Sequence, residues 1–442
     1  CHFLHHGLGL AECDLTGTTS WDEVLDRVKT YVTKRDTGWL IGRGWDQNDW
    51  VKKEFPDRRA LDKLFPDRPV LLTRIDGHAA VANGVALHAA GINADTKVKG
   101  GEITWEFIND GDRSWTDSAS VAEVLLMGYP FWEPTGLLID NAVDLVKNIV
   151  PDPSPAELRA ALLRVQDLCF AEGLTMVCDA GLDVYEIEAI QQLQQEGTLK
   201  IRVYAMVSDK PENLAHFAAS GPIISDRLIV RCAKIYADGA LGSRGTLLKQ
   251  PYADVKPDRY GLLLNTVAHF DSLAAWCGDH GFQMATHCIG DSANKLILDV
   301  YGRALGGTND LRWRIEHVQH MDPADWSLFA NFNVIPSMQP THLQSDAPWF
   351  IDRIGMQRAA SAYAWKTALR QNGLIALGTD FPVEGISPIA TYYAAISRKY
   401  RDGSPIPGTD TTEVLTRAEA LRGMTIWNAI AAFTENDLGT LE

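Results

Sequence analysis

The stretch LIVRCAKIYADG at 228–239 is a short apolar, β-rich run that passes into polar and glycine residues. Near-continuous apolar runs of this length read as strands buried on both faces of a parallel sheet. Lys234 stands inside the run, flanked by Ala233 and Ile235. Lysine is seldom buried without a partner or a purpose, so it is either a site residue or a surface lysine on an edge strand.

The same pattern recurs on both sides of this stretch. From about 160 to 385, helical segments alternate with GLTMVCDAG (173–181), IRVYAMV (201–207), GFQMATHCIGD (281–291), RWRIEHVQH (312–320), NVIPSMQP (333–340) and LIALGTD (374–380). With 228–239 these make seven strands alternating with helices, one short of a closed (β/α)8 TIM-type barrel. Six of the seven end in, or just beyond, residues able to bind metal or move protons. These are Asp179, Lys234 with Asp238, His287 with Asp291, His317 with His320, Gln339 with His342, and Asp380. In a barrel the active site lies at the C-terminal ends of the strands, so this placement predicts a barrel enzyme.

Residues 20–150 differ in texture. GWDQNDW, FPDRRALDKLFPDRPV and YPFWEPTG are rich in Trp and Pro and follow no regular period. They predict an inserted α+β subdomain, in which Trp45, Trp50 and Trp132 form either an aromatic wall or the insertion's own core. The expected organisation is the end of the first barrel strand and its loop at 1–19, the insertion at 20–150, the metal-binding barrel at 151–425, and a further segment at 426–442.

Bulk properties narrow the function classes. The 442 residues carry 41 Lys plus Arg against 57 Asp plus Glu, a formal charge of -16, which argues against nucleic acid and anionic membranes as partners. No apolar run is long enough to span a bilayer, and nothing resembles a signal peptide. Seven scattered cysteines without a CxxC pair predict free thiols in a reducing, cytoplasmic setting.

His2, Lys234, His287, His317 and Asp380 form a candidate metal site. Neutral imidazoles and a carboxylate suit a borderline divalent cation such as zinc, and water coordinated by such an ion has its pKa lowered to about 7. Asp380 could ligate the ion, take a proton from that water and pass it to a leaving amine. Each residue also has a structural reading: strand-end histidines can be satisfied by the fold, and an Asp before a loop is commonly a turn or cap residue.

The ordered motifs KIYADGALGSRG, THCIGD, RIEHVQH and GTDFPV resemble the amidohydrolase superfamily, in particular amidohydrolase family 3, which includes N-substituted formamide deformylases. GRGWDQNDW and RIDGHAAVANGVAL are similar to the inserted region of that branch, so the resemblance covers nearly the whole chain. It implies a barrel with one or two metal ions. His2 matches the second histidine of a strand-end His-x-His pair, Lys234 a lysine that is often carbamylated, His287 and His317 the next two ligands, and Asp380 the last. His320 competes with His317 for its role. Asp238, Arg244, His78 and His342 are the implied substrate-binding residues, and the resemblance also implies a homodimer.

The family's first histidine would fall just before Cys1, and its terminal β-sandwich is completed after a stretch such as GTLE. Segments flanking the given residues are therefore expected. The implied activity is hydrolysis of a C–N bond, of amide or N-formyl type, in a small molecule. A deaminase or lactonase on the same scaffold, and a metal-containing binding or regulatory protein without turnover, stay open because fold does not choose among them.

Overall fold

The computed structural model describes residues 1–32, 38–108 and 131–440. Residues 129–130 of YPFWEPTG and 441–442 of GTLE lie outside them. The chain divides into two compact units, one of Cys1–Ala11 with Pro153–Glu442 and one of Glu12–Asp152.

The larger unit is a TIM-type barrel. Its seven main strands are β1 (Met176–Leu182), β2 (Arg202–Ser208), β3 (Leu228–Tyr236), β4 (Gln283–Cys288), β5 (Arg314–His317), β6 (Ile335–Met338) and β7 (Ala376–Leu377). Each pairs in parallel with the next, in chain order. Cys1 and His2 lie between the two ends of this sheet. Ala180 of β1 donates its N–H to Cys1 O at 3.0 Å, and the His2 N–H donates to Phe381 O, beyond β7, at 2.8 Å.

Side-chain alternation decides what enters the barrel. Ala180, Tyr204, Met206, Cys232 and Ala285 pack together in its interior, whereas Ala233 and Ile235 join the core beneath the helices. Lys234, two residues beyond Cys232, therefore faces inward from a central strand, and the edge-strand alternative is excluded. The helices bury one stripe each. Pro155–Ala171 starts at a capping box between Ser154 and Glu157 and buries Leu158, Ala161, Leu162, Val165 and Cys169, at helical spacing. Among the described residues no helix is long and apolar enough to cross a membrane, and all seven cysteines are free thiols.

The Glu12–Asp152 unit has a six-stranded mixed sheet. Its order is Cys13–Asp14, Leu40–Trp45, Val70–Arg74, Ala79–Ala82, Phe131–Asp140 and Gly101–Ile108. The first three pair in parallel and the remaining pairings are antiparallel. Leu71, Ala80, Ala82 and Leu138 of the sheet pack on Leu87, Val143 and Val146 of its helices. Trp45 and Trp50 are buried 6.0 Å apart, with Trp21 beside Trp50, so these two tryptophans are core. Trp132 is half exposed and meets Phe107 edge to face.

Candidate metal centre

The C-terminal ends of the strands gather His2, Lys234, His287, His317, His342 and Asp380, all in the barrel unit. Register brings the first neighbours together: Lys234 pairs across to Ala285, Tyr236 to His287, and His287 to Glu316, one residue short of His317. The His287 and His317 rings stand 4.5 Å apart, and the His317 and His342 rings 5.8 Å apart. Donor atoms of His317, His342 and Asp380 lie within 4.8 Å of one another. The nearest oxygens of Asp380 are 3.8 Å from His2 Nε2 and 3.6 Å from His342 Nε2.

Surrounding groups fix how these rings face. His317 Nδ1 is 2.7 Å from Gln339 Oε1, which makes Nδ1 the protonated nitrogen and leaves Nε2 as the ring's other donor. His342 Nδ1 lies 3.2 Å from Glu384 Oε1, and His2 Nδ1 lies 3.2 Å from Ala180 O. Lys234 is 3% exposed, with Nζ 3.5 Å above the Tyr236 ring. Among the described residues no carboxylate lies within salt-bridge distance of it.

Burial and charge act against each other in this cluster. Burial favours the neutral carboxyl of Asp380, but His342, His317 and His2 outweigh it and hold the group well below the usual carboxylate range. Burial lowers His317 to about 4. It also works to lower His342, but the Asp380 and Glu384 carboxylates override it and raise that imidazole to about 10. Burial dominates at His2, which is lowered well below its usual value.

The backbone is strained at the same place. His317, Val318 and Asp380 have φ of 81°, 46° and 56°, a region that side chains other than glycine rarely adopt and that costs about 1–3 kcal/mol per residue. Cross-strand bonds hold it: Val318 N–H donates to Cys288 O at 3.0 Å and His320 N–H to Ile289 O at 2.9 Å. His2 is set by Asp179, whose Oδ2 accepts the Leu4 N–H at 2.9 Å at the start of the helix Phe3–Gly9. Burial pushes the Asp179 carboxyl up to about 6.

Other expected site residues are engaged elsewhere. The fully buried Asp238 accepts backbone N–H bonds from Leu247, Ile289 and Gly290, each at 2.9 Å, and so ties together the loops after β3 and β4. His320 faces Asp291, with Nε2 at 3.5 Å, instead of the His317–His342–Asp380 cluster. Arg244 pairs with Asp254 at 2.8 Å. His78 belongs to the Glu12–Asp152 unit, where its Nδ1 is 2.8 Å from Asp140. His6 packs edge to face on Phe381, and His5 lies 6.1 Å from His2, ring to ring.

His342, expected to contact substrate, stands with the metal-type donors. Glu384 and Tyr236 have no advance signal in the sequence beyond their nearness to Asp380 and Lys234 in the chain.

The family whose profile matches residues 1–442 is described as the amidohydrolase family. LONG AFTER FAR-RED 3 of Arabidopsis thaliana is 32% identical over all of this chain and 74% of its own length. YtcJ of Bacillus subtilis is 32% identical over all of this chain and 79% of its own length. An uncharacterized metal-dependent hydrolase from Pyrococcus horikoshii superposes on the whole chain and 81% of its own length, with a TM-score of 0.75 and 25% identity. One from Pyrococcus furiosus gives 0.71 and 27%, over the whole chain and 82% of its own length.

Proposed function

The chain belongs to the amidohydrolase family, and from that premise we propose that it is a metal-dependent hydrolase of a non-peptide C–N bond, of amide or N-formyl type, in a small molecule. The observation that carries the reading is the convergence of His317, His342 and Asp380 at the ends of barrel strands. These donors suit a borderline divalent cation, zinc foremost. The Nε2 of His342 is buried and, among the described residues, has no hydrogen-bond partner, which supports the same fit.

In this reading His2, Lys234, His287, His317 and Asp380 hold one or two ions, with His342 as a further donor of the same cluster. Lys234, buried without a carboxylate partner among the described residues, is suited to carbamylation, which would turn it into a bridging carboxylate. A bound divalent ion supplies a Lewis acid that acidifies water and polarises a carbonyl. Asp380 Oδ accepts a proton from the attacking water and returns it to the leaving nitrogen as the C–N bond breaks. The neighbouring imidazoles keep its carboxylate ionised and ready to accept. The free thiols fit a cytoplasmic setting.

The test is metal analysis of native protein, followed by assays on formamides, acylated amino acids, dipeptides and lactones with and without chelator. At least one equivalent of metal per chain and chelator-sensitive turnover of a formamide or amide are expected. Less than one equivalent under metal-replete conditions overturns the hydrolase reading. Turnover confined to lactones or to deamination transfers the site to C–O or deaminase chemistry, and metal without turnover on any class favours a binding protein.

A further inference from the structure

We propose that Asn294, on the helix Asp291–Leu305 that follows β4, is a positioning residue for the metal site. Together with Asp238 it clamps the segment Cys288–Gly290 between the ends of β3 and β5, and so holds His287 and the strained His317 in place before any ion arrives. This rests on the reading that His287 and His317 ligate a divalent cation, and goes beyond it to what sets their backbone.

Buried backbone polar groups need partners, and the residues after His287 find theirs on three different elements. Cys288 O accepts the Val318 N–H at 3.0 Å and Ile289 O the His320 N–H at 2.9 Å, both from the loop after β5. Ile289 and Gly290 donate their N–H groups to Asp238 Oδ1 and Oδ2, each at 2.9 Å, from the loop after β3. Gly290 O accepts the backbone N–H of Asn294 at 2.9 Å and an Nδ2–H of its side chain at 2.8 Å. The amide of Asn294 also reaches across to His320 O at 3.2 Å. Asp238 and Asn294, both fully buried, thus take the donors and an acceptor of the same short segment. A side chain at Gly290 would collide with Leu247 O, so the loops after β3 and β4 touch there.

Asn294 therefore bonds to the loops after β4 and β5 at once, and that is where the strain lies. His317 and Val318 hold φ of 81° and 46°, a conformation that persists only where its surroundings over-determine it. The pair is followed by His320, whose N–H is taken by Ile289 and whose C=O is taken by Asn294. On the other side, His287 O accepts the Ala237 N–H at 3.0 Å, so the ligand-bearing ends of β3, β4 and β5 are joined through the clamped segment. Asn294 Oδ1 is buried and has no hydrogen-bond partner among the described residues, so the side chain acts through its two N–H donors.

Asn294→Leu keeps the size of the side chain and removes both donors. Zinc affinity, measured by chelator competition on the full chain, is expected to fall about 10–100-fold, the usual effect of losing a support behind the ligands. The ligand-field spectrum of the cobalt-loaded variant is expected to change with it. Ile297→Val trims the same helix at a buried position outside the clamp, and should leave affinity and spectrum as in wild type. Wild-type affinity with an unchanged spectrum in folded Asn294→Leu overturns the inference, as does an equal shift in Ile297→Val. Hydrogen exchange on metal-free wild type needs no variant, so misfolding cannot hide the answer. The N–H groups of Ile289, Gly290, Val318 and His320 should be protected like those of β3, and rapid exchange there overturns a clamp set before the ion binds. Wild type that binds no zinc removes the metal reading and the inference with it, whereas lost protection in a protein that still binds zinc removes the inference alone.

Discussion

Arg74 in the Glu12–Asp152 unit and Asp380 in the barrel are both buried ionisable side chains, but they are completed differently. Arg74 is 2% exposed; its Nε donates to Gln47 Oε1 at 2.9 Å, and its two terminal nitrogens pair with Asp46 and Asp76. Asp380 is 8% exposed, and the nearest imidazoles, His2 and His342, remain beyond hydrogen-bond reach. The backbone of His317, Val318 and Asp380 is strained besides. A buried charge enclosed at hydrogen-bond distance by its own chain is scaffold. Donors held apart, on strained backbone, are arranged for a group the chain does not supply. Asp238 follows the first pattern although it neighbours the second, since three backbone N–H groups surround its carboxylate.

The largest expected effect lies on the open side of this comparison. Asp380→Asn keeps the shape but loses the proton acceptor, and turnover under metal-saturating conditions should fall about 10²–10⁴-fold, the range for a positioned acid–base group. Steady-state kinetics on the best substrate reads it. Activity within tenfold of wild type would mean that the donors around Asp380 are no more chemical than those around Arg74.

On the closed side the effect moves from rate to stability. Arg74→Ala leaves the partly buried Asp46 and Asp76 without their cation, and removing the buried partner of such a network costs up to about 3–5 kcal/mol. Urea unfolding followed by Trp fluorescence should report that loss. A loss below about 1 kcal/mol would show that the insertion's network is relaxed by solvent and would weaken the contrast.

How far these two regions are legible in the sequence differs for a physical reason. The barrel strands are continuous apolar runs whose partners are their sequence neighbours, so β1 to β7 fall within or next to the seven runs at 173–380. The last is the least distinct: only Ala376–Leu377 is strand within 374–380, with the Gly378 N–H still donating to Met338 O beyond it. The insertion's sheet mixes parallel and antiparallel pairs, with Gly101–Ile108 at its edge beyond Phe131–Asp140, and no periodicity announces such an order. At the centre, strand-end position points to His287, His317 and Asp380. It points equally to Asp238 and His320, because residue type does not reveal whether the fold will close around a side chain. Glu384 is invisible for the opposite reason: it matters only through His342, which reaches it from a helix 42 residues earlier.

The smallest effect comes from a closed pair at the surface. His269 Nε2 lies 2.7 Å from Asp209, and both side chains are partly exposed. The hydrogen bond to Asp209 is the main cause that raises the His269 pKa, with burial opposing it. A folded pKa above the unfolded value means that the folded state binds the proton more tightly. The pair therefore stabilises the protein fully below the unfolded value of about 6.5, and that contribution is lost as pH rises through the higher folded value. Solvent screening limits it to about 0.5 kcal/mol. Asp209→Asn should thus lower stability slightly at pH 5.5 and leave it unchanged at pH 8.5, read from paired urea titrations. A cost at pH 8.5 as large as at pH 5.5 would show that the contact acts by packing, and hydrogen-bond length alone would then no longer mark a pair whose charges matter.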